Sequence, residues 1–304
     1  GQWGAYGAGL FHGLACVEPE ALVYDPKAIP CIKTNADGER EIDADHISFA
    51  KINDMKIKII TGVSTGSLQS LLLMVILDET QLRETRIEAL QQMIDSYAPE
   101  DQSDLVDYDG FPAIILKGSV AGADALRRHV ETVLQSRWNF RDGVLQDDGS
   151  YAGDPVRTRR LVDQIAYSPI STLVGVVQGR DGKFKSVNMR RMVRDIQPDD
   201  GEGSSAQTQK AINCVATTTL ASSAMPVFHQ QLRVTSASQP ESDQVTTLFD
   251  GGVRRSVFVA ELGSAFARRY TTLATLMGQE LYAAADRNQR LPTMYVLRNG
   301  PTTS

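Results

Sequence analysis

The chain alternates strand-like and helix-like segments, and that alternation predicts an α/β fold in one domain. Three observations carry the prediction. Met55 to Ile60 reads MKIKII, apolar at Met55, Ile57 and Ile59 and cationic at Lys56 and Lys58, the period-two pattern of a half-buried strand. Leu68 to Leu77 follows after a short glycine-bounded turn and is apolar enough to be a helix buried on most sides. Further on, STLVGVVQ (171–178) and KFKSVNM (183–189) flank Gly179-Arg-Asp-Gly182 and read as a β-hairpin. No internal repeat and no low-complexity linker divides the 304 residues into two cores, so one domain is expected over 1–304.

The other elements follow in chain order. Residues 4–17 (GAYGAGLFHGLACV) read as a glycine-rich helix start running into an apolar helix. Residues 25–54 are polar, with Pro26, Pro30, Gly38 and an acidic cluster, and read as a surface loop or an insertion. Residues 80–97 continue as an amphipathic helix that stops before Pro99, and 122–137 read as a helix. Residues 138–160, with Gly143, Gly149, Gly153 and Pro155, read as loop-rich. DIQPDDGEGSSAQTQ (195–209) is the best candidate for a mobile loop. After it come a helix at 210–222, strands at 231–236 and 244–249, a long helical pattern at 259–287 and a closing strand at 291–298.

Composition narrows the function classes. Hydrophobic residues make up 42% and charged residues 22%, an ordinary globular balance that excludes intrinsic disorder and a collagen-like chain. Lys plus Arg is 31 against 37 Asp plus Glu, a net charge of −6 with no basic footprint, so no nucleic-acid partner is expected. Cys16, Cys31 and Cys214 are scattered and odd in number. They show neither a disulfide framework nor metal-ligand spacing, and read as buried small hydrophobes; no metal is expected. The longest apolar run, Leu71 to Leu77, falls far short of the roughly 18 residues of a membrane span. No signal peptide is visible, and a targeting segment upstream of Gly1 would not be seen.

Gly62-Val63-Ser64-Thr65-Gly66 is a G-x-S-x-G placed between the predicted strand and the apolar helix. A sharp strand-to-helix turn of this kind holds a serine in a strained conformation with its Oγ presented, and glycines at 62 and 66 would remove side chains on either side. The helix N-terminus behind it favours developing negative charge. The plain structural alternative is a tight turn whose serine caps the helix. A serine nucleophile needs a base. Of His12, His46, His129 and His229, only His229 comes late enough for a Ser–Asp–His order, and nothing acidic stands convincingly before it. Each of the four reads more readily as structural or surface-exposed.

Phe249-Asp250-Gly251-Gly252 closes the strand at 244–249. It could be a simple turn. It could also be a carboxylate at a strand end, where α/β sheets collect their sites, taking the Ser64 proton directly as general base. At the start of the chain, Gly1-Gln2-Trp3-Gly4 leads into the glycine-rich helix. Glycine-loop amides at a helix N-terminus suit an oxyanion hole. The rival reading, a dinucleotide-binding loop, needs a preceding strand and an acidic residue about 20 residues on, and neither is visible, so no cofactor is expected.

Taken together and in order, the glycine loop, Gly62–Gly66 and Asp250-Gly251-Gly252 resemble the patatin-like phospholipase family, in particular its bacterial members. Gly1-Gln2-Trp3-Gly4 is similar to the tail of the family's G-G-G-x-[K/R]-G run, with Trp3 where the family carries Lys or Arg. Leu220-Ala-Ser-Ser-Ala-Met-Pro226 with Phe228 is similar to its A-S-x-A-x-P-x-x-F segment, which packs beside the site. Val253-Arg-Arg-Ser256 stands where plant-type members have an Asn-rich stretch. The resemblance implies a three-layer α/β/α fold around a central, mostly parallel sheet. It implies a serine lipid acyl hydrolase of phospholipase A, lysophospholipase or esterase type. Ser64 would be the nucleophile, Asp250 its dyad partner, and Gly1, Gln2 and Gly4 the oxyanion hole. The implied partners are a lipid or ester substrate and a membrane surface, with no metal or organic cofactor; whether the protein sits in a bacterial cytoplasm or cell envelope is not written in the sequence. Two alternatives stay open: a Ser–His–Asp esterase using His229, and a non-catalytic binding module that keeps the fold.

Overall fold

In a computed structural model the described residues are 4–17, 31–97, 107–108, 121–142, 144–145, 151–152, 155–197, 204–225, 232–235, 245–254 and 295. Helix α1 is Gly4–Ala15, strands β1 (Ile32–Thr34) and β2 (Arg40–Ile42) form an antiparallel pair, and α2 is Ala50–Asp54. Strand β3 (Ile59–Gly62) runs into α3 (Thr65–Ile76), and α4 is Arg83–Tyr97. Short strands β4 (Asp107–Tyr108) and β5 (Ala121–Gly122) pair ahead of α5 (Asp124–Gln135). Strands β6 (Arg137–Arg141), β7 (Val144–Leu145), β8 (Tyr151–Ala152) and β9 (Val156–Arg160) follow, with β6 pairing β9 and β7 pairing β8. Helix α6 (Leu161–Tyr167), β10 (Ser171–Gln178), β11 (Phe184–Asn188), α7 (Met189–Ile196) and α8 (Ser205–Ser223) complete the middle of the chain. Strands β12 (Leu232–Thr235) and β13 (Val245–Asp250) come last, β13 ending in a 3-10 turn at Gly251–Val253.

The chain thus mixes helices with a mixed sheet that contains parallel pairing, an arrangement compatible with an α/β fold. Strand β10 organises that sheet. Its valines 174, 176 and 177 are all buried, and since successive side chains point to opposite faces, both faces of β10 are covered. One edge of β10 pairs with β11 through the hairpin. The other edge is shared: β3 lies parallel along residues 171–174, and β13 lies antiparallel along residues 176–178. Strand β12 pairs with β13. The expectation of a mostly parallel sheet does not describe these strands: among the described residues, only the β3–β10 pairing is parallel. A short turn at 179–182 forces β11 back antiparallel, and β13 enters from the opposite end of β10.

Helix α3 is the centre of the core. Leu71 to Leu77 are all buried, packed against α1, α4, α8, β3 and β10. Four sequence expectations need correction. The strand near residue 60 is Ile59–Gly62, not Met55–Ile60, because α2 runs to Asp54 and Lys56 takes a positive φ of 50° that interrupts the extended run. Residues 31–54 are not all surface loop: Ile42, Ile47, Phe49 and Ile52 are buried, and Arg86 stacks 4.0 Å over the Phe49 ring. Within 138–160, the β6–β9 pair puts Phe140 wholly in the core. Cys16 and Cys31 are disulfide-bonded, with Cα atoms 5.8 Å apart, so only Cys214 keeps a free thiol.

The predicted hairpin and the helices at 4–17, 68–77, 80–97, 122–137 and 210–222 are present within a few residues, as are the strands at 231–236 and 244–249. Within 195–209, α7 reaches Ile196 and α8 begins at Ser205, while 198–203 lie outside the described residues. The helical pattern at 259–287 and, apart from Tyr295, the closing strand at 291–298 also lie outside them. No helix among the described residues is long and apolar enough to cross a membrane.

Candidate active site

The turn at Ser64 is built by its neighbours. Strand β3 ends at Gly62 and α3 begins at Thr65, so the chain must reverse over two residues. Ser64 takes φ 51° and ψ −132°, a region that costs a non-glycine residue about 1–3 kcal/mol. The reversal brings the first turn of α3 back onto the strand: a Cβ at Gly62 would stand 2.3 Å from the Gly66 carbonyl oxygen. Only glycine fits at 62. Gly66 carries no such demand, since a Cβ there meets nothing within 4 Å among the described residues. Ser64 occupies the N-cap position of α3, yet its side chain makes no capping hydrogen bond. The capping alternative therefore does not account for the serine.

The bonds that hold Ser64 engage its backbone. Its N–H donates to both the carbonyl oxygen and the Oγ of Ser222, at 3.0 and 3.1 Å. Its carbonyl accepts from the Ser67 hydroxyl at 2.6 Å, and that hydroxyl also reaches the Thr219 carbonyl at 3.1 Å. Ser222 and Thr219 lie on the last turns of α8, so that helix end holds the Ser64 amide directly and its carbonyl through Ser67 of α3.

Asp250 reaches the same place from the other direction. It is 3% exposed, lies opposite Val176 in the β10 register, and its N–H donates to the Ala224 carbonyl at 3.0 Å. Its Oδ1 accepts from the Gly252 N–H at 2.7 Å, so the turn following the strand fixes the carboxylate. Gly252 is exposed, and a Cβ on it would come within 3.0 Å of that Oδ1. Gly251 is buried against the carbonyl of Gly175 and beside Val63. Strands β3 and β13 therefore run toward each other along one edge of β10. Gly62 ends opposite Val174 and Asp250 ends opposite Val176. Those two positions are about 6.6 Å apart along the strand. The structure thus brings the Ser64 turn and Asp250 to the two sides of Gly175.

Of the proposed oxyanion residues, Gly1 and Gln2 lie outside the described residues and Gly4 opens α1. Helix α1 packs on α3 with Gly7 against the side chain of Gln69, one turn on from Thr65. The first-turn amides of such a helix have no partners within it and suit a developing anion.

Two of the described histidines, His46 and His129, are engaged elsewhere. His46 Nδ1 meets Asp43 Oδ2 at 2.8 Å. His129 Nε2 lies 2.9 Å from Ser96 Oγ, whose own proton goes to the Gln92 carbonyl at 2.6 Å, so that serine is not set up to lose it to the imidazole. Burial pushes the His129 and His12 pKa values down. His229, Pro226 and Phe228 lie outside the described residues. No group of three His, Cys, Asp or Glu side chains that could hold a metal ion occurs among the described residues.

Ser67, Gly175 and Thr219 were not among the residues the motifs single out. A lone glycine in an otherwise apolar strand is a signal of close backbone approach, and Gly175 in STLVGVVQ carries it. Compared with protein-family models, with curated proteins and with solved structures, the chain matches none of them.

Proposed function

We propose that this protein is a serine acyl hydrolase of the patatin-like type, with the three-layer α/β/α architecture of that family, acting on lipid esters at a membrane surface. One observation carries the reading: the N-cap serine of α3 sits at positive φ with no capping bond, on the strand edge where Asp250 also ends. A strained serine whose hydroxyl is not spent on capping its helix suits nucleophilic catalysis.

In the proposed mechanism Ser64 Oγ attacks the ester carbonyl while Asp250 accepts the hydroxyl proton. Backbone amides of the glycine loop, with Gly1, Gln2 and Gly4 as their sources, stabilise the tetrahedral oxyanion. The intermediate collapses to an acyl-serine and the alcohol leaves with the proton from Asp250. Water then attacks the acyl-serine, giving its proton to Asp250, and the fatty acid is released as Ser64 regains a proton. No step calls on a metal or an organic cofactor.

The test is labelling by a fluorophosphonate probe together with hydrolysis of a fluorogenic fatty-acyl ester. Wild type, Ser64→Ala, Asp250→Asn and His229→Ala are compared at matched folding. Labelling is expected to vanish in Ser64→Ala, and turnover to fall about 10²- to 10⁴-fold in Asp250→Asn, the range for loss of a general base. His229→Ala is expected to retain both. Loss of labelling in a folded His229→Ala protein would replace the dyad with a triad. A folded wild type that never labels would leave a binding module.

A further inference from the structure

We propose that the Ser222 hydroxyl is a positioning group that sets Ser64 against Asp250; the inference rests on Ser64 being the nucleophile. Ser222 is completely buried. Its Oγ accepts from the Ser64 N–H at 3.1 Å and donates to the Gly175 carbonyl at 2.6 Å. The first bond is redundant for satisfying the amide, because the Ser222 carbonyl already accepts the same N–H at 3.0 Å. What the hydroxyl adds is the connection to Gly175.

Gly175 is the one position of β10 that neither β3 nor β13 pairs along their shared edge, since β3 stops opposite Val174 and β13 stops opposite Val176. A buried carbonyl at such a break needs a donor, and Ser222 supplies it. Gly251 rests on that same carbonyl. One oxygen atom therefore ties the nucleophile's amide to the strand residue that carries the weight of the Asp250 turn. Ala224, two residues on, takes the Asp250 amide. The end of α8 holds both halves of the dyad by their backbones, and among the described residues of that short segment the Ser222 hydroxyl is the only side chain that bonds across to β10.

Removing the hydroxyl leaves the turn standing through the Ser222 carbonyl but unties it from β10. A displacement of about 1 Å between reacting groups is enough to cost on the order of 10²-fold in rate. Substrate contacts are not part of this linkage, so the loss falls on kcat and not on KM.

The experiment measures kcat, KM and thermal midpoint with a fluorogenic fatty-acyl ester for wild type, Ser64→Ala, Ser222→Ala, Ser222→Thr and Thr218→Val. Thr218 lies in the same helix, and its hydroxyl donates to the Cys214 carbonyl at 2.8 Å. Thr218→Val therefore tests for loss of a helix hydroxyl away from the turn. Expected are Ser64-dependent turnover in wild type, a kcat lowered about 10- to 100-fold with KM within about twofold in Ser222→Ala, recovery in Ser222→Thr, and unchanged kcat in Thr218→Val. If Ser222→Ala does not fold, Ser222→Cys, whose thiol hydrogen-bonds weakly, carries the same expectation. Ser64-dependent turnover with a normal kcat in Ser222→Ala, or in Ser222→Cys where Ser222→Ala does not fold, overturns this inference and leaves the proposed function standing. A kcat loss in Thr218→Val that tracks lost stability overturns it too. Turnover in wild type that does not depend on Ser64 overturns the proposed function, and the inference with it.

Discussion

Gly251 packs directly on the carbonyl of Gly175: a Cβ at Gly251 would stand 2.4 Å from that oxygen and 2.9 Å from Val63 Cγ1. Both neighbours are held, one in the central strand and one in the turn preceding the serine, so neither can step aside cheaply. Gly251→Ala is expected to destabilise the protein by about 1–3 kcal/mol, the range for overpacking a filled site. Gly66→Ala, in open space among the described residues, is expected to leave stability unchanged or raise it by about 0.5–1 kcal/mol, since alanine favours a helix. Denaturant unfolding of the two variants checks both expectations. Equal stability of Gly251→Ala and wild type would show that the two segments do not meet as described.

His12 makes stability depend on pH with a definite sign. Burial lowers its folded-state pKa below 6.5, with the backbone of Cys31 opposing the shift. The unfolded chain therefore takes up the proton first as pH falls. The stability due to this group is complete above 6.5 and is lost on going below it. His129 is shifted the same way by burial and adds a slope of the same sign. The thermal midpoint is expected to fall between about pH 7.5 and about pH 5, and to fall less steeply in His12→Gln. Parallel slopes in the two proteins would exclude a buried neutral His12.

The disulfide gives a countable prediction. Of three cysteines, only Cys214 is free, so denatured, unreduced protein is expected to titrate one thiol per chain. Cys16 and Cys31 are 15 residues apart, and closing a loop of that length is worth about 3 kcal/mol in the chain-entropy account. Cys16→Ser with Cys31→Ser is expected to lower the thermal midpoint accordingly. Three titratable thiols in the unreduced protein would contradict the pairing.

Phe140 tests the one region whose character the sequence concealed most. It is wholly buried, whereas Val156 on the paired strand is about half exposed. Phe140→Ala is expected to cost about 3–5 kcal/mol. Val156→Ala is expected to stay within about 0.5 kcal/mol, as surface changes do. Similar small losses from both would place residues 138–160 back among the loops.

What could be read from sequence was local. The turn at 62–66 shows itself because its glycine, serine, preceding strand and following helix are contiguous. The hairpin at 171–189 shows itself for the same reason. The β6–β9 pair did not, because Arg137, Arg141, Arg157, Arg159 and Arg160 dilute its alternation and three glycines intervene. Ile42, Ile47, Phe49 and Ile52 were too widely spaced in polar sequence to register as core. The pairing of Cys16 with Cys31 needs the path of the chain between them, which spacing does not encode. Ser64 and Asp250 were legible as separate motifs. That they flank one residue of β10 was not, because sheet order joins segments far apart in the chain. Ser222 entered only through its segment's family resemblance; its bond to Ser64 spans 158 positions.

The shared edge of β10 also bears on when the site comes into being during synthesis. A nascent chain that has passed Gln178 already holds the serine turn and its central strand, but neither the end of α8 nor Asp250. Contacts of such long range form late and slowly. On the proposed reading, the serine travels through most of translation without its base and without the clamp on its amide. Hydrolytic capacity is then acquired in a single late event, as β13 is laid against the last open stretch of β10.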